Sequence, residues 1–477
     1  MKKSTNILLF LSIVFLFCCQ SYQKKENATS ADDFIFEEHI KGTEITLSIT
    51  GYKGNSKNVI VPEKINGSIV TSISFHRFFE DNSNISDIIS IRLPTTIKTI
   101  GWRAFESCIN LKEINIPEGV IEIESGAFYR CENLESILLP STLISLSDNV
   151  FEYCTGLKTI SVDRNNLNYN AINGVLFDKT GKTIIKYPAG RGGKYQIPHG
   201  IKTIGVGAFS DCKDLEDIYL SNTTEYISED AFTRCTRLTS INIPMSVTSI
   251  SEFAFNECNN LEYIDVSFSN RYYKSINGVL YDYSVKILIK APALSIRGEY
   301  SMPNSVEIIA AKAFSECILL ETLILSENLI RFCYSITYND GYAYSAVFKG
   351  CNNLNNFIIS DKNNNFETEN GVLFGKYQYT LIAYPIGRKG GYIIPDHVAF
   401  LRWWSFADCL GLTEITISEN INRIDNTTFE GCENIKYIYI LNPDIDIQYA
   451  TFRDCINIDE SNKNDLINMF GETIFTY

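Results

Sequence analysis

Ile97-Lys-Thr-Ile100-Gly101-Trp-Arg-Ala104-Phe105-Glu-Ser-Cys108-Ile-Asn-Leu111-Lys-Glu-Ile114-Asn-Ile116-Pro117 is the stretch that decides the fold, because it keeps returning. Its Phe-x-x-Cys pair comes back at intervals of 23 residues as Phe128/Cys131 and Phe151/Cys154. The rhythm restarts at Phe209/Cys212, Phe232/Cys235 and Phe255/Cys258, and resumes at Phe314/Cys317 and Phe348/Cys351. A last set runs Phe406/Cys409, Phe429/Cys432 and Phe452/Cys455, which makes eleven pairs in all. A fixed period of this length marks a repeat solenoid, in which each unit buries its apolar face only against its neighbours.

The unit reads as one coil. Leu111, Ile114 and Ile116 turn inward along a short strand while Asn115 faces out, by the two-residue alternation of a strand. Pro117 cannot donate a ladder hydrogen bond and ends it. The Ile97-x-x-Ile100 pair starts a second extended segment on the opposite wall, and Gly-x-x-Ala-Phe-x-x-Cys is expected as a helical turn or corner that drops Phe and Cys into the core. Coils about 4.7–4.9 Å apart would line their strands into parallel sheets.

The interruptions share a pattern of their own. Cys154 to Cys212 is 58 residues, Cys258 to Cys317 is 59 and Cys351 to Cys409 is 58. Each gap holds one module: Asn173-Gly-Val-Leu-Phe177, Asn277-Gly-Val-Leu-Tyr281 or Asn370-Gly-Val-Leu-Phe374. An apolar run and a proline follow (Pro188, Pro292, Pro385), and Gly-containing turns such as Lys179-Thr-Gly-Lys182 suggest hairpins. Two readings stand: a coil variant that alters curvature, or a projecting element used for recognition.

The chain has 477 residues, of which 45% are hydrophobic and 21% charged, enough apolar surface for a substantial core. Its formal charge is −14, and no basic cluster is dense enough to follow a phosphate backbone, so nucleic acid is not an expected partner. At the N-terminus Lys2 and Lys3 precede an apolar run, Ile7 to Phe17, with the length of a signal-peptide core and too short to span a bilayer. Cys18, Cys19 and a polar stretch to Asp33 follow.

Two resemblances rest on these residues. A Cys placed directly after such an apolar core resembles a bacterial lipoprotein signal, with Leu16 three positions upstream of Cys19. That likeness implies acylation of Cys19, anchoring by several acyl chains, and a place in the cell envelope as an outer-membrane or cell-surface lipoprotein. Phe17 and Cys18 occupy places that small residues usually hold, and an ordinary cleaved signal peptide would share the positive head and apolar core. The repeat unit itself, together with Gly51-Tyr-Lys-Gly54 and Val59-Ile-Val-Pro62 before it, resembles the BspA-type leucine-rich repeat of bacterial surface proteins over about residues 35 to 457. This implies a surface adhesin with protein or glycan ligands, host matrix proteins among them. The expected division is a signal over 1–19, a flexible tether over 20–33, a cap with degenerate repeats over 34–100, the solenoid over 101–457, and a C-terminal cap over 458–477. Losing Lys2 and Lys3 takes the charge from −14 to −16, so the body would be repelled by anionic headgroups. The tether would reach at most about 45–50 Å.

Chemistry is sparse. Of the 14 cysteines, those in the ladder are expected as buried thiols acting as small hydrophobes. Parallel side chains in a ladder point the same way, which disfavours disulfides, and the 23-residue spacing does not suit a metal site. Cys333 falls outside the ladder. The four histidines, His39, His76, His199 and His397, sit in no catalytic motif. Gly190-Arg-Gly-Gly193 and Gly387-Arg-Lys-Gly-Gly391 lack a Walker ending and read as turns. No catalytic residue, metal ligand or cofactor is expected.

Recognition remains, through outward positions of the main strands. One column runs Glu113, Ser136, Thr159, Asp217, Ser240, Tyr263, Thr322, Asn356, Glu414, Tyr437. The other runs Asn115, Leu138, Ser161, Tyr219, Asn242, Asp265, Ile324, Ile358, Thr416, Tyr439. Tyr219 and Tyr263 beside Asp217 and Asp265, with Tyr437 and Tyr439 further on, are the expected ligand contacts, since tyrosines supply area and a polar tip at low entropic cost. Tyr also favours strands for its own sake, and Leu138, Ile324 and Ile358 would equally suit half-covered positions. An envelope scaffold that organises other proteins is the alternative function.

Overall fold

The computed structural model describes residues 28–74, 84–332, 347–377 and 379–476. Lys2, Lys3, Cys18, Cys19, His76 and Cys333 lie outside the described residues.

The chain is a parallel β-solenoid whose coils alternate two kinds of strand. Three- to six-residue strands such as Ser136–Leu139 and Thr159–Val162 form the long-strand wall, pairing Ser136 with Thr159 and Leu138 with Ser161. Two-residue strands such as Thr99–Ile100, Glu122–Ile123 and Ser145–Leu146 form the short-strand wall. Ile97 and Ile100 are both fully buried, as the Ile-x-x-Ile pattern requires. The corner between the walls is a run of tight turns and not a helix. The reason is local: the residue before every ladder cysteine, from Ser107 and Arg130 to Gly431 and Asp454, has a positive φ. A non-glycine residue gives up about 1–2 kcal/mol there. In return its N–H reaches the next coil, as when Ser107 N donates to Tyr129 O at 2.8 Å and Arg234 N to Asn256 O at 2.9 Å.

Inside the corner, the phenylalanines stack coil on coil with ring centroids 5.4 Å apart for Phe105 and Phe128 and 4.8 Å for Phe406 and Phe429. Tyr187 and Tyr384 take the same place in two of the hairpin-bearing coils, 5.0 Å from Phe209 and Phe406. All the ladder cysteines are buried and free. They are more than small hydrophobes. Wherever the preceding corner holds a phenylalanine of the ladder, the thiol donates to its carbonyl, as in Cys131 Sγ to Phe105 O at 3.2 Å and Cys432 Sγ to Phe406 O at 3.0 Å. Burial pushes the Cys154, Cys258 and Cys317 thiols up to about 12.

Each 58–59-residue gap folds as a three-stranded antiparallel meander: Tyr169–Ile172, Val175–Asp178 and Thr183–Lys186 in the first. The last of these strands starts a new short-strand sheet by pairing with Thr203–Ile204. The hairpin tip lies at the other wall, where Gly174 O accepts from Ile160 N at 3.0 Å; Gly278 and Gly371 do the same for Ile264 and Phe357. The insertion is therefore packed through the coil, which favours the structural reading over a projection. Its middle strand is buried on both faces. Leu176 joins the N-terminal core, while Val175 and Phe177 join the next one.

Three asparagines in polar runs hold these coils. Asn166, Asn270 and Asn363 are buried, and each side chain makes four hydrogen bonds to backbone. Lys186 and Lys290 are also buried, with Nζ on Ser210 Oγ at 2.7 Å and on Ser315 Oγ at 2.8 Å. Burial lowers the ammonium pKa of Lys290. In the third copy Ala383 stands in register with the lysines, and the buried Ser405 Oγ has no partner.

At the N-terminal end Phe34–Lys41 and Glu44–Tyr52 form an antiparallel hairpin, with the second strand parallel to Ser68–Ile73. The segment expected as a tether is docked from Thr29 onward, since Thr29 N donates to Ile60 O at 3.0 Å and Lys53 N to Asp33 O at 2.8 Å. At the other end the segment expected as the C-terminal cap holds a helix, Glu460–Phe470, where the repeat would otherwise place a long strand. Asp459 N still donates to Lys436 O at 2.9 Å, as a strand would, and the Asp459 side chain then caps the helix. Asn462 covers the last long strand by bonding both Ile438 N and Ile438 O.

Candidate functional site

None of the residues in the two outward columns is buried, while Ile137, Ile160, Ile218, Ile264, Ile415 and Ile438 between them are in the core. Leu138 and Ile358 are exposed, and Ile324 is half-buried. The long-strand wall, hydrogen-bonded as six short sheets with the hairpin tips between some of them, thus presents two rows of unburied side chains.

Asp217 and Tyr219 sit on Leu215–Tyr219, flanking the buried Ile218. Asp217 is not available as a lone charge: its Oδ2 lies 2.7 Å from Lys194 Nζ on the preceding coil. That hydrogen bond holds the lysine pKa above its ordinary value. Tyr263 and Asp265 share Tyr263–Val266 two strands on, with both side chains exposed. A Cβ at Gly278 would meet the Tyr263 ring at 2.9 Å, so one side of this ring rests on the second hairpin tip. Tyr437 and Tyr439 occupy Tyr437–Ile440, stacked at 6.2 Å with 18° between their planes, and are 40% and 46% exposed. The two tyrosine patches do not meet. Five long strands intervene (Gly298–Ser301, Leu320–Ile324, Asn356–Ile358, Gly390–Ile393, Leu412–Ile417), a separation of upwards of about 30 Å at 4.7–4.9 Å per strand.

The N-terminal part of the same wall forms a groove of about 930 Å³ bordered by Asn58, Arg92, Lys112, Glu113, Ser136 and Leu138. Glu113, Ser136 and Leu138 belong to the outward columns, but strand alternation alone gives no groove. The missing signal was the strand Asn58–Ile60, which lacks the Phe-x-x-Cys mark yet pairs in register with Ser90–Arg92. Asn115 belongs to the scaffold as well as to the column, since its amide bonds Leu93 N at 2.7 Å and Leu93 O at 3.1 Å.

Several polar groups elsewhere bond within the scaffold. Asp211 is fully buried and its carboxylate accepts from Tyr153 N at 3.0 Å, standing in for the carbonyl that the hairpin coil does not supply. Arg234 closes the cluster, 2.6 Å from Asp211 and 2.8 Å from Glu152, over the Tyr153 ring at 4.2 Å. Burial alone would lower the Arg234 pKa; its hydrogen bond to Asp211 reverses that and raises it. Gly190 and Gly387 lie in turns packed on backbone, where a Cβ would meet Gly156 C or Asn353 C at 2.7 Å. Their neighbours Arg191 and Arg388 donate to Lys158 O and Asn355 O instead of facing an anion site. His199 and His397 are exposed turn residues. Among the described residues no group of three or more His, Cys, Asp or Glu side chains is placed to hold a metal ion, and no helix is long and apolar enough to cross a membrane.

One protein family matches this architecture. The family described as "BspA type Leucine rich repeat region" matches in six copies over residues 71–190, 193–286, 298–370 and 392–477. A comparison with curated proteins found no match. Among solved structures, a leucine rich cell surface protein of Faecalibacterium prausnitzii is 22% identical, covering 85% of this chain and 95% of that one, with a TM-score of 0.44. The pneumococcal vaccine antigen PcpA is 19% identical, covering 94% and 98%, with a TM-score of 0.40. A leucine-rich repeat protein of Eubacterium ventriosum is 18% identical over 86% and 90%, with a TM-score of 0.39. With its repeat, its coil and its family match in agreement, the chain belongs to the BspA-type leucine-rich repeat family.

Proposed function

We propose that this chain is an exported, lipid-anchored, non-catalytic binding protein that recognises other macromolecules through its long-strand wall, as a cell-surface adhesin. The observation that carries the reading is the pair of unburied columns on that wall, set over short sheets whose inward residues, Ile137, Ile160, Ile218, Ile264, Ile415 and Ile438 among them, are buried. Such a surface keeps its shape whichever outward residues it carries, which suits recognition by a repeat scaffold. In this reading residues 1–19 are the signal, Cys19 carries the lipid, and the acidic body that stands off the membrane begins at Thr29, where the chain docks on the solenoid. Tyr437 and Tyr439 are the strongest proposed contacts, being already ordered against each other, with Tyr219, Tyr263 and Asp265 as a second patch. Asp217, tied to Lys194, orients that patch more than it binds.

Protease shaving of intact cells, with detection of the Phe105 to Cys455 region, tests the location; a periplasmic protein and lysed cells serve as controls. Digestion in intact cells is the expected result. Binding of those cells to immobilised matrix proteins should then fall in the Tyr437→Ala/Tyr439→Ala variant without loss of surface protein. Protection of the region until lysis would sink the adhesin reading and favour the envelope scaffold.

A further inference from the structure

The short-strand wall carries a feature that the scaffold does not require. Beside the third hairpin coil a cleft of about 590 Å³ opens among Tyr377, Tyr379, Phe400, Trp403, Arg423 and Asp425. Tyr377 and Tyr379 stand in the loop of the hairpin, 77% and 63% exposed, and Phe400 on Phe400–Leu401 is 43% exposed. The same loop positions in the first two hairpin coils hold Thr180 and Lys182, or Ser284 and Lys286. Phe400 replaces Thr203 or Ile308, and Trp403 replaces Val206 or Ala311. The fold is thus built twice in this chain without aromatics at these four positions, so the hairpin coil does not need them to form.

We infer that this cleft is a binding site for a neutral oligosaccharide, distinct from the long-strand wall and independent of the adhesin reading. The volume falls in the range of about 300–1,000 Å³ found for small-ligand sites. Aromatic faces are negative and attract the positively polarised C–H faces of a sugar ring. Beside them Arg423 Nε donates to Asp425 Oδ1 at 3.0 Å, a pair with no net charge that leaves the other guanidinium N–H groups as donors and the second Asp425 oxygen as an acceptor. Each sugar hydroxyl is both donor and acceptor and can serve both. A proline-rich peptide would also suit an aromatic cleft. It offers chiefly carbonyl acceptors, however, and would bring no donor to Asp425. Adding a peptide strand is blocked, because Phe400–Leu401 is paired on both sides, with Thr380–Ala383 and with Arg423–Ile424.

The test is titration of the full-length protein with oligosaccharides of glucose, galactose, mannose and N-acetylglucosamine, read by calorimetry and by tryptophan fluorescence. The comparison is the Tyr377→Thr/Tyr379→Lys/Phe400→Thr variant, which installs the residues of the first hairpin coil. The expected result is that at least one saccharide binds the native chain, and binds the variant weaker by about tenfold or more with an unchanged thermal midpoint. No binding across the panel would overturn the inference. So would equal affinity in the variant, which would locate the sugar elsewhere, or binding of a proline-rich peptide in place of every sugar.

Discussion

Replacing Asn270 should loosen the second hairpin coil more than any surface change of similar size. Its Nδ2 donates to Pro244 O and Val247 O, both at 2.9 Å, and its Oδ1 accepts from the N–H groups of Tyr272 and Tyr273, both at 2.8 Å. With the side chain 2% exposed, water cannot replace these partners without opening the coil. Four hydrogen bonds at a net ~0.5–1.5 kcal/mol each give about 2–6 kcal/mol for Asn270→Ala. The isosteric Asn270→Asp separates the two halves of the site, since a carboxylate keeps the two amide contacts but faces two carbonyl oxygens. Burial and those carbonyls would raise its pKa above the ordinary ~3.9. An acid whose folded pKa is raised is least costly below its unfolded pKa. The Asp variant should therefore recover stability as pH falls towards ~4 and lose it as pH rises through the folded value. Urea unfolding gives the overall effect, and hydrogen exchange of the Tyr272 and Tyr273 amides gives the local one, which a solenoid can show separately. A loss under about 1 kcal/mol in Asn270→Ala, with both amides still protected, would refute the argument.

Other expectations concern the buried polar groups. Arg234→Met strands the fully buried Asp211 and should cost about 3–5 kcal/mol, read as a large drop in thermal midpoint; a small drop would mean that Asp211 finds another partner. The Lys290 ammonium titrates below its ordinary 10.5 because of burial, so the unfolded chain binds more protons in the alkaline range. Stability of the native protein relative to Lys290→Met should accordingly grow as pH rises towards 10.5, and a flat difference would contradict the burial. The ladder thiols, with Cys154, Cys258 and Cys317 raised to about 12, should resist maleimide at neutral pH until the chain is unfolded; labelling of Cys258 in the native state would show that its coil opens.

The sequence disclosed the coil because one period carries its whole core: Ile97, Ile100, Phe105, Cys108 and Leu111 are all buried where the repeat puts them. The hairpin coils were legible as modules from Asn-Gly-Val-Leu. Their keystones were not, because an asparagine in a polar run such as Arg164-Asn165-Asn166 reads as loop. A signal did exist, since Asn166, Asn270 and Asn363 each stand seven residues before the Asn of the Asn-Gly turn. Arg234 was beyond reach for a different reason. Its partner Glu152 lies 82 residues away and meets it only because a hairpin coil leaves a gap in the corner row. The outward columns were legible from strand alternation alone, whereas the aromatic cleft depends on which hairpin loop meets which short strand.

The double-faced strands of the hairpin coils also bear on how the molecule would respond to being pulled. Leu176 and Leu280 each anchor into the core that precedes them, while Val175 and Phe177, and Val279 and Tyr281, anchor into the one that follows. A load applied along the chain would meet a rivet at each such strand and a simple zipper in between. Rupture at one rivet and arrest at the next would release the chain between Leu176 and Leu280, an interval of 104 residue steps, about 340–370 Å when extended at ~3.3–3.6 Å per residue. A protein held at one end by a membrane and at the other by a ligand would then lengthen in discrete steps, absorbing tension before either attachment gives way.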